Sequence, residues 1–244
     1  MTGRLVQNPA WVTRAISGAY ETLEAKVPPA WLPKLSDVSA SRGAFIARMP
    51  EYGCGAYGCV LPTLDAATVL KVTTDSTEAE FAAELAPGLV APICVDYHLV
   101  VSLSTKHEGR RIYLLWREAA DDVGKLAVVL GPKAEALVLA QHRAAQVAYK
   151  VIATGGSMAQ IRPKISAWLS RCEDMAASDV PELRKLGAGL VQVYEEQRIF
   201  FGDLHAGNLG RVFRDDQASW VITDPGHVAV IDPFNNNPTG HHKS

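Results

Sequence analysis

No C-x-x-C pair and no zinc-type spacing connects the four cysteines, Cys54, Cys59, Cys94 and Cys172, so neither a structural metal nor a disulfide framework is expected. An excess of charge of one sign is missing as well. The formal net charge of −2 supplies no global field to hold a polyanion, and no nucleic-acid partner is expected. No basic stretch followed by an apolar signal core opens the chain, and no apolar run approaches the roughly 18 residues a membrane span needs. A chain in the reducing cytoplasm, without a membrane partner, follows. No internal repeat is visible. What remains is an ordinary globular composition, 48% hydrophobic and 20% charged over 244 residues, enough for one large domain or two small lobes.

Between Trp11 and Lys26 the apolar residues Ile16, Ala19 and Leu23 recur at helical spacing, and Pro28-Pro29 stop the pattern. This predicts an N-terminal helical extension over residues 1–43, with Trp11 and Trp31 as core anchors. Strands are predicted at Ala44 to Met49, around Val60, at Thr68 to Val72, at Ala91 to Val101 and at Arg111 to Trp116. A short helix is predicted over Thr77 to Leu85. After Gly131-Pro132 the character changes, and three alanine- and leucine-rich helices are predicted at Lys133 to Ala153, Met158 to Met175 and Glu182 to Gln197. Strands first and helices second is an α+β pattern. The expected division is a sheet-rich part over 44–117 and a helical part over 118–244, joined near Arg117 to Gly124.

Three stretches carry chemistry. Gly53-Cys54-Gly55-Ala56-Tyr57-Gly58-Cys59-Val60 spells G-x-G-x-x-G-x-V; its glycines permit a tight turn whose amides can approach phosphate oxygens. Val60-Leu61-Pro62 and the β-rich run beyond it continue as a hairpin rather than a helix, which argues against a dinucleotide fold. Lys71 lies in V-L-K-V, where strand alternation separates its ammonium from its apolar neighbours. Finally, Phe201-Gly202-Asp203-Leu204-His205-Ala206-Gly207-Asn208 offers a carboxylate and an amide on one short loop, and Val221-Ile222-Thr223-Asp224-Pro225-Gly226 puts a second aspartate at a strand end.

The order of these motifs, from about Ala44 to Ile231, resembles the protein-kinase-like superfamily. The glycine loop is similar to that of protein kinases, while G-D-L-H-A-G-N is similar to the catalytic loop of aminoglycoside-type phosphotransferases. V-L-K-V, D-L-H-A-G-N and I-T-D-P together also resemble the compact early serine/threonine kinases of tailed phages, which implies action on host proteins in an infected cytosol. The resemblance implies a two-lobed fold, with a small antiparallel-sheet N-lobe and an abbreviated, mainly helical C-lobe. It implies ATP and Mg²⁺ as cofactors, with Gly53, Gly55, Tyr57, Gly58 and Val60 over the nucleotide and Lys71 on its phosphates. Glu80 is the carboxylate chosen to hold Lys71, and Glu78 and Glu84 on the same helix remain open. Asp203 is implied as the base or hydroxyl-positioning residue, and Asn208 and Asp224 as metal ligands. Glu118 and the main chain around it are implied adenine contacts, unless this stretch is a connector.

Departures from the protein-kinase pattern shape the expected acceptor. His205 stands where eukaryotic protein kinases carry lysine, and is expected to be a weaker donor to the transferring phosphate than a fixed charge. Proline rather than phenylalanine follows Asp224, and 20 residues remain beyond it, so no activation-segment switch is expected. Substrate choice is expected to reside in Pro132 to Gln197. The favoured acceptor is a serine or threonine of a protein. A small-molecule acceptor and a non-catalytic binding module are the alternatives, and the oligomeric state is left open.

Overall fold

The computed structural model describes residues 25, 27–32, 58–65, 67–74, 96–104, 111–122, 126–214, 217–223 and 228–231. They fall into two units, one drawn from Met1–Leu85 and Val95–Ala119, the other from Ala86–Cys94 and Ala120–Ser244.

In the first unit, strands β1 (Gly58–Pro62), β2 (Thr68–Thr73), β3 (Asp96–Ser104) and β4 (Arg111–Glu118) form an antiparallel sheet in the order β1-β2-β4-β3. Alternation sends Leu61, Leu70, Val72, Leu114 and Trp116 to one face. All five are 0% exposed, and burial of each such side chain stabilises the sheet by about 1.5–3 kcal/mol. The β1–β2 turn is fixed by Asp65, whose Oδ1 accepts from the Ala67 N–H at 2.9 Å and whose Oδ2 accepts from the Thr68 hydroxyl at 3.1 Å. A 3-10 turn at Pro29–Trp31 braces this hairpin. The Trp31 carbonyl accepts from the Trp116 indole at 2.7 Å, and the Asp65 N–H donates to the Ala30 carbonyl at 2.7 Å. Trp31 is only half-buried, so its backbone does much of the anchoring expected of its ring.

The second unit is built on helices α1 (Pro132–Ala153), α2 (Met158–Ala176) and α3 (Pro181–Gln197). Proline opens α1 and α3 at a position where its missing N–H costs nothing. A capping box opens α2, with the Ser157 N–H donating to Gln160 Oε1 at 2.9 Å. Buried stripes at three- and four-residue spacing face one another, Val138, Ala145 and Ala148 on α1 and Ile161, Ile165 and Trp168 on α2 among them. Trp168 lies edge-on to Tyr194 of α3 and to Phe200. The predicted helix starts and stops therefore lie within a residue of the observed ones.

Two further sheets occupy this unit. Strand β5 (Asp121–Asp122) pairs with β7 (Leu209–Arg214), which pairs with β8 (Gln217–Ile222); β6 (Ile199–Phe201) pairs with β9 (Val228–Val230). The architecture is mixed α+β, antiparallel sheets with three main helices among the described residues. The expected segregation of strands before helices is corrected to that extent; β5, β6 and β9, of two or three residues, are too short to announce themselves by alternation. The strand expected from Ala91 is described from Asp96 and runs on to Ser104, and the one expected from Arg111 extends to Glu118. The strand expected at Ala44 to Met49, the helix at Thr77 to Leu85, and the N-terminal helix apart from Ala25 lie outside the described residues.

One cysteine expectation also changes. Cys59, buried on β1, is disulfide-bonded, while Cys172 on α2 is a free, buried thiol. Sequence spacing excludes a metal motif but not a bridge, which needs only that two Cα atoms approach within about 4.4–6.8 Å in the fold.

Candidate active site

The turn after β6 gathers three of the expected residues. Buried Ile199, Phe200 and Phe201 fix where the chain enters it, and buried Leu209 fixes where it leaves. Between them a single 3-10 turn spans Ala206–Asn208, capped by His205, whose Nδ1 accepts the Gly207 N–H at 3.0 Å. That bond commits the Nδ1 lone pair, so a neutral ring carries its proton on Nε2. A Cβ at position 207 would sit 3.0 Å from Cε1 of the His205 ring and 3.2 Å from Nδ1, so a larger residue there makes the capping ring shift by a few tenths of an ångström. Asn208 is buried, and its Nδ2 donates to the main-chain carbonyl of Asp203 at 2.8 Å. Its amide oxygen is thereby the side chain's remaining polar atom. Asp203 Oδ1 lies 4.0 Å from His205 Nε2, with 28% of the aspartate side chain and 41% of the histidine side chain exposed. A carboxylate, an imidazole and an amide oxygen thus share one short turn, the first two partly exposed and the third on a buried side chain.

Two residues that the sequence did not single out join this turn from α1. Gln146 Nε2 donates to the Gly202 carbonyl at 3.0 Å and to Asp203 Oδ1 at 3.1 Å. One turn earlier, the His142 ring meets the His205 ring edge-on at 5.4 Å. Burial lowers the pKa of His142, neighbouring His205 lowers it further, and Asp203 and the Leu204 main chain pull the other way. His142 is therefore held neutral near pH 7. Its Nδ1 is buried without a hydrogen-bond partner. A sequence signal for the pair exists in hindsight: 142 and 146 are polar, four apart, and flank the buried stripe through Gln141 and Ala145.

The first unit brings together a second set. Val60 and Lys71 are cross-strand partners, and Lys71 pairs on its other side with Leu115, so all three side chains share a sheet face. Lys71 is 7% exposed. That face is opposite the one carrying Leu70 and Trp116. Glu118 ends β4 beside Thr68, in strand rather than connector, and alternation assigns its side chain to the Trp116 face. The backbone of Gly58 opens β1. Gly53, Gly55, Tyr57, Glu78, Glu80, Glu84 and Asp224 lie outside the described residues. No cluster of three or more metal-ligating His, Cys, Asp or Glu side chains occurs among the described residues.

No protein-family model matches this chain, and no curated protein matches it significantly. No described helix is long and apolar enough to cross a membrane.

Proposed function

We propose that the chain is an ATP- and magnesium-dependent phosphotransferase of protein-kinase-like, two-lobed design that moves the γ-phosphate to a hydroxyl, with a protein serine or threonine as the favoured acceptor. The observation that carries this reading is the Asp203–Asn208 turn. Its carboxylate is exposed enough to meet a hydroxyl, and its asparagine is tied by Nδ2 so that an oxygen remains for a cation. Asp203 accepts the acceptor hydroxyl's hydrogen bond and takes its proton as the new phosphorus–oxygen bond forms and the bond from the γ-phosphorus to the bridging oxygen breaks, releasing ADP. His205 keeps only Nε2 for donation, since Nδ1 is spent on the cap.

Magnesium fits the donor type present, a hard amide oxygen at Asn208 with the Asp224 carboxylate as second ligand in this scheme. When bound it neutralises charge on the phosphates. Lys71 would hold the α- and β-phosphates, steadied by Glu80, on the sheet face it shares with Val60 and Leu115. The glycine loop would cover the nucleotide, and main chain near Glu118 would meet the adenine. A cytoplasmic site of action goes with ATP; the Cys59 disulfide is the structural feature that argues the other way.

The test is transfer from γ-labelled ATP and magnesium in a bacterial extract, with protein-bound and small-molecule label resolved. Wild type labels protein, and Asp203→Asn lowers the rate by about 10²- to 10⁴-fold. Label confined to metabolites would make the acceptor a small molecule. ATP binding without transfer would leave a non-catalytic module, and absence of ATP binding would end the proposal.

A further inference from the structure

The contact between Gln146 and Asp203 is placed where it controls the reactive carboxylate. Among the contacts that hold Asp203, the preceding carbonyl of Gly202 accepts from Gln146 at 3.0 Å, its own Oδ1 accepts from the same Gln146 nitrogen at 3.1 Å, and its own carbonyl accepts from Asn208 at 2.8 Å. Two of these come from one carboxamide. By bonding both the backbone before Asp203 and the Asp203 side chain, Gln146 fixes the carboxylate's rotation relative to the main chain that carries it.

A competitor for that carboxylate is close. His205 Nε2 stands 4.0 Å from Asp203 Oδ1, outside hydrogen-bond range but within reach of a modest side-chain rotation. Rotation toward the ring would turn the carboxylate away from an incoming hydroxyl. Gln146 opposes this from the helix side, and α1 is a rigid 22-residue mount for it. His142, one turn before Gln146, fills the space beside His205.

We propose that Gln146 is a positioning residue for Asp203, setting the rate of the chemical step without contributing to nucleotide affinity. The assignment rests on the phosphotransfer reading above. A side chain that only fills space would tolerate an isosteric replacement; one that acts as a donor would not. Gln146→Met keeps the length and apolar stem but removes the N–H groups. Gln146→Glu keeps the shape and presents an acceptor, with charge, to two acceptors.

Steady-state transfer from γ-labelled ATP is measured for wild type and both variants, with thermal unfolding and ATP affinity recorded on the same preparations. Expected are losses in kcat of about 10- to 100-fold, the scale of a misplacement near 1 Å, with KM and Kd for ATP within about two-fold of wild type. Gln146→Glu falls at least as far as Gln146→Met. Overturning results are kcat within two-fold of wild type for either variant, a loss carried by KM for ATP, or a loss that follows a fall in unfolding temperature. If wild type itself transfers no phosphate, the phosphotransfer reading fails and takes this assignment with it; an active wild type with unaffected variants sinks the assignment alone.

Discussion

Gly210 on β7 sits where an added methyl group has nowhere to go, and Gly210→Ala therefore tests how tightly the turn is tied to the sheet behind it. A Cβ at 210 would lie 2.6 Å from the Ala120 Cβ and 2.6 Å from Thr223 Cγ2, with the Asp121 carbonyl at 3.4 Å. Carbon atoms pack best at about 3.5–4.0 Å, so each neighbour must retreat by about 1 Å. Neither yields easily. The Ala120 Cβ moves only with its backbone, and Thr223 is β-branched and stiff at χ1. Overpacking of this kind costs about 1–3 kcal/mol, while alanine recovers about 0.4–1 kcal/mol by restricting the unfolded chain. A net loss of about 1–2 kcal/mol is expected. With a urea slope of about 2 kcal/mol/M, the middle of the usual range, the midpoint falls by roughly 0.5–1 M. Because the Thr223 N–H donates to the Asn208 carbonyl at 2.9 Å, the same displacement reaches the turn and lowers transfer from labelled ATP. Thr223→Ser removes Cγ2, so the double variant recovers part of the lost stability. An unchanged midpoint in Gly210→Ala, or a double variant no better than the single, would refute the reasoning.

Gly187→Ala probes a second close approach, between α3 and α2: its Cβ would lie 2.4 Å from the Ala176 nitrogen, 2.6 Å from the Cys172 carbonyl oxygen and 2.8 Å from the Met175 carbonyl carbon. All three are backbone, so the helices must part, and the roughly 1 kcal/mol gained in helix propensity is outweighed by a lowered unfolding temperature; a variant as stable as wild type would contradict the packing. His142 gives stability a pH dependence of known sign. Its pKa in the folded chain is depressed below the ordinary 6.5, so the unfolded chain binds the extra proton first, and stability present above pH 6.5 is lost as pH falls through the folded value. Unfolding measured between pH 7.5 and 5.5 should slope less in His142→Gln than in wild type, and equal slopes would remove His142 as a contributor.

The helices were legible because their signals are local. Proline at the first turn, apolar residues three and four apart, and Gly155-Gly156 after α1 mark the ends without help from the rest of the chain. Asp203, His205 and Asn208 were legible for the same reason, since one turn holds all three. Gln146 was not, because its bond to Asp203 joins positions 57 apart, and only the docking of α1 beside the turn creates it. The short strands failed differently. Three residues of β6, all buried, show no alternation, and β5 is shorter still.

What the fold adds to the motif is stiffness, and it comes from elements the motif does not contain. Strand β6 is buried on its way into the turn and pairs with β9. Gln146 pins Gly202 and Asp203 from α1, Asn208 closes the turn on itself, and Thr223 ties the end of β8 to Asn208. A carboxylate and an amide fixed from so many sides need little reorganisation when charge moves, which is the property that electrostatic catalysis requires. Restraint converging on Asp203 supports the phosphotransfer proposed above more directly than the presence of Asp203 in a familiar string does.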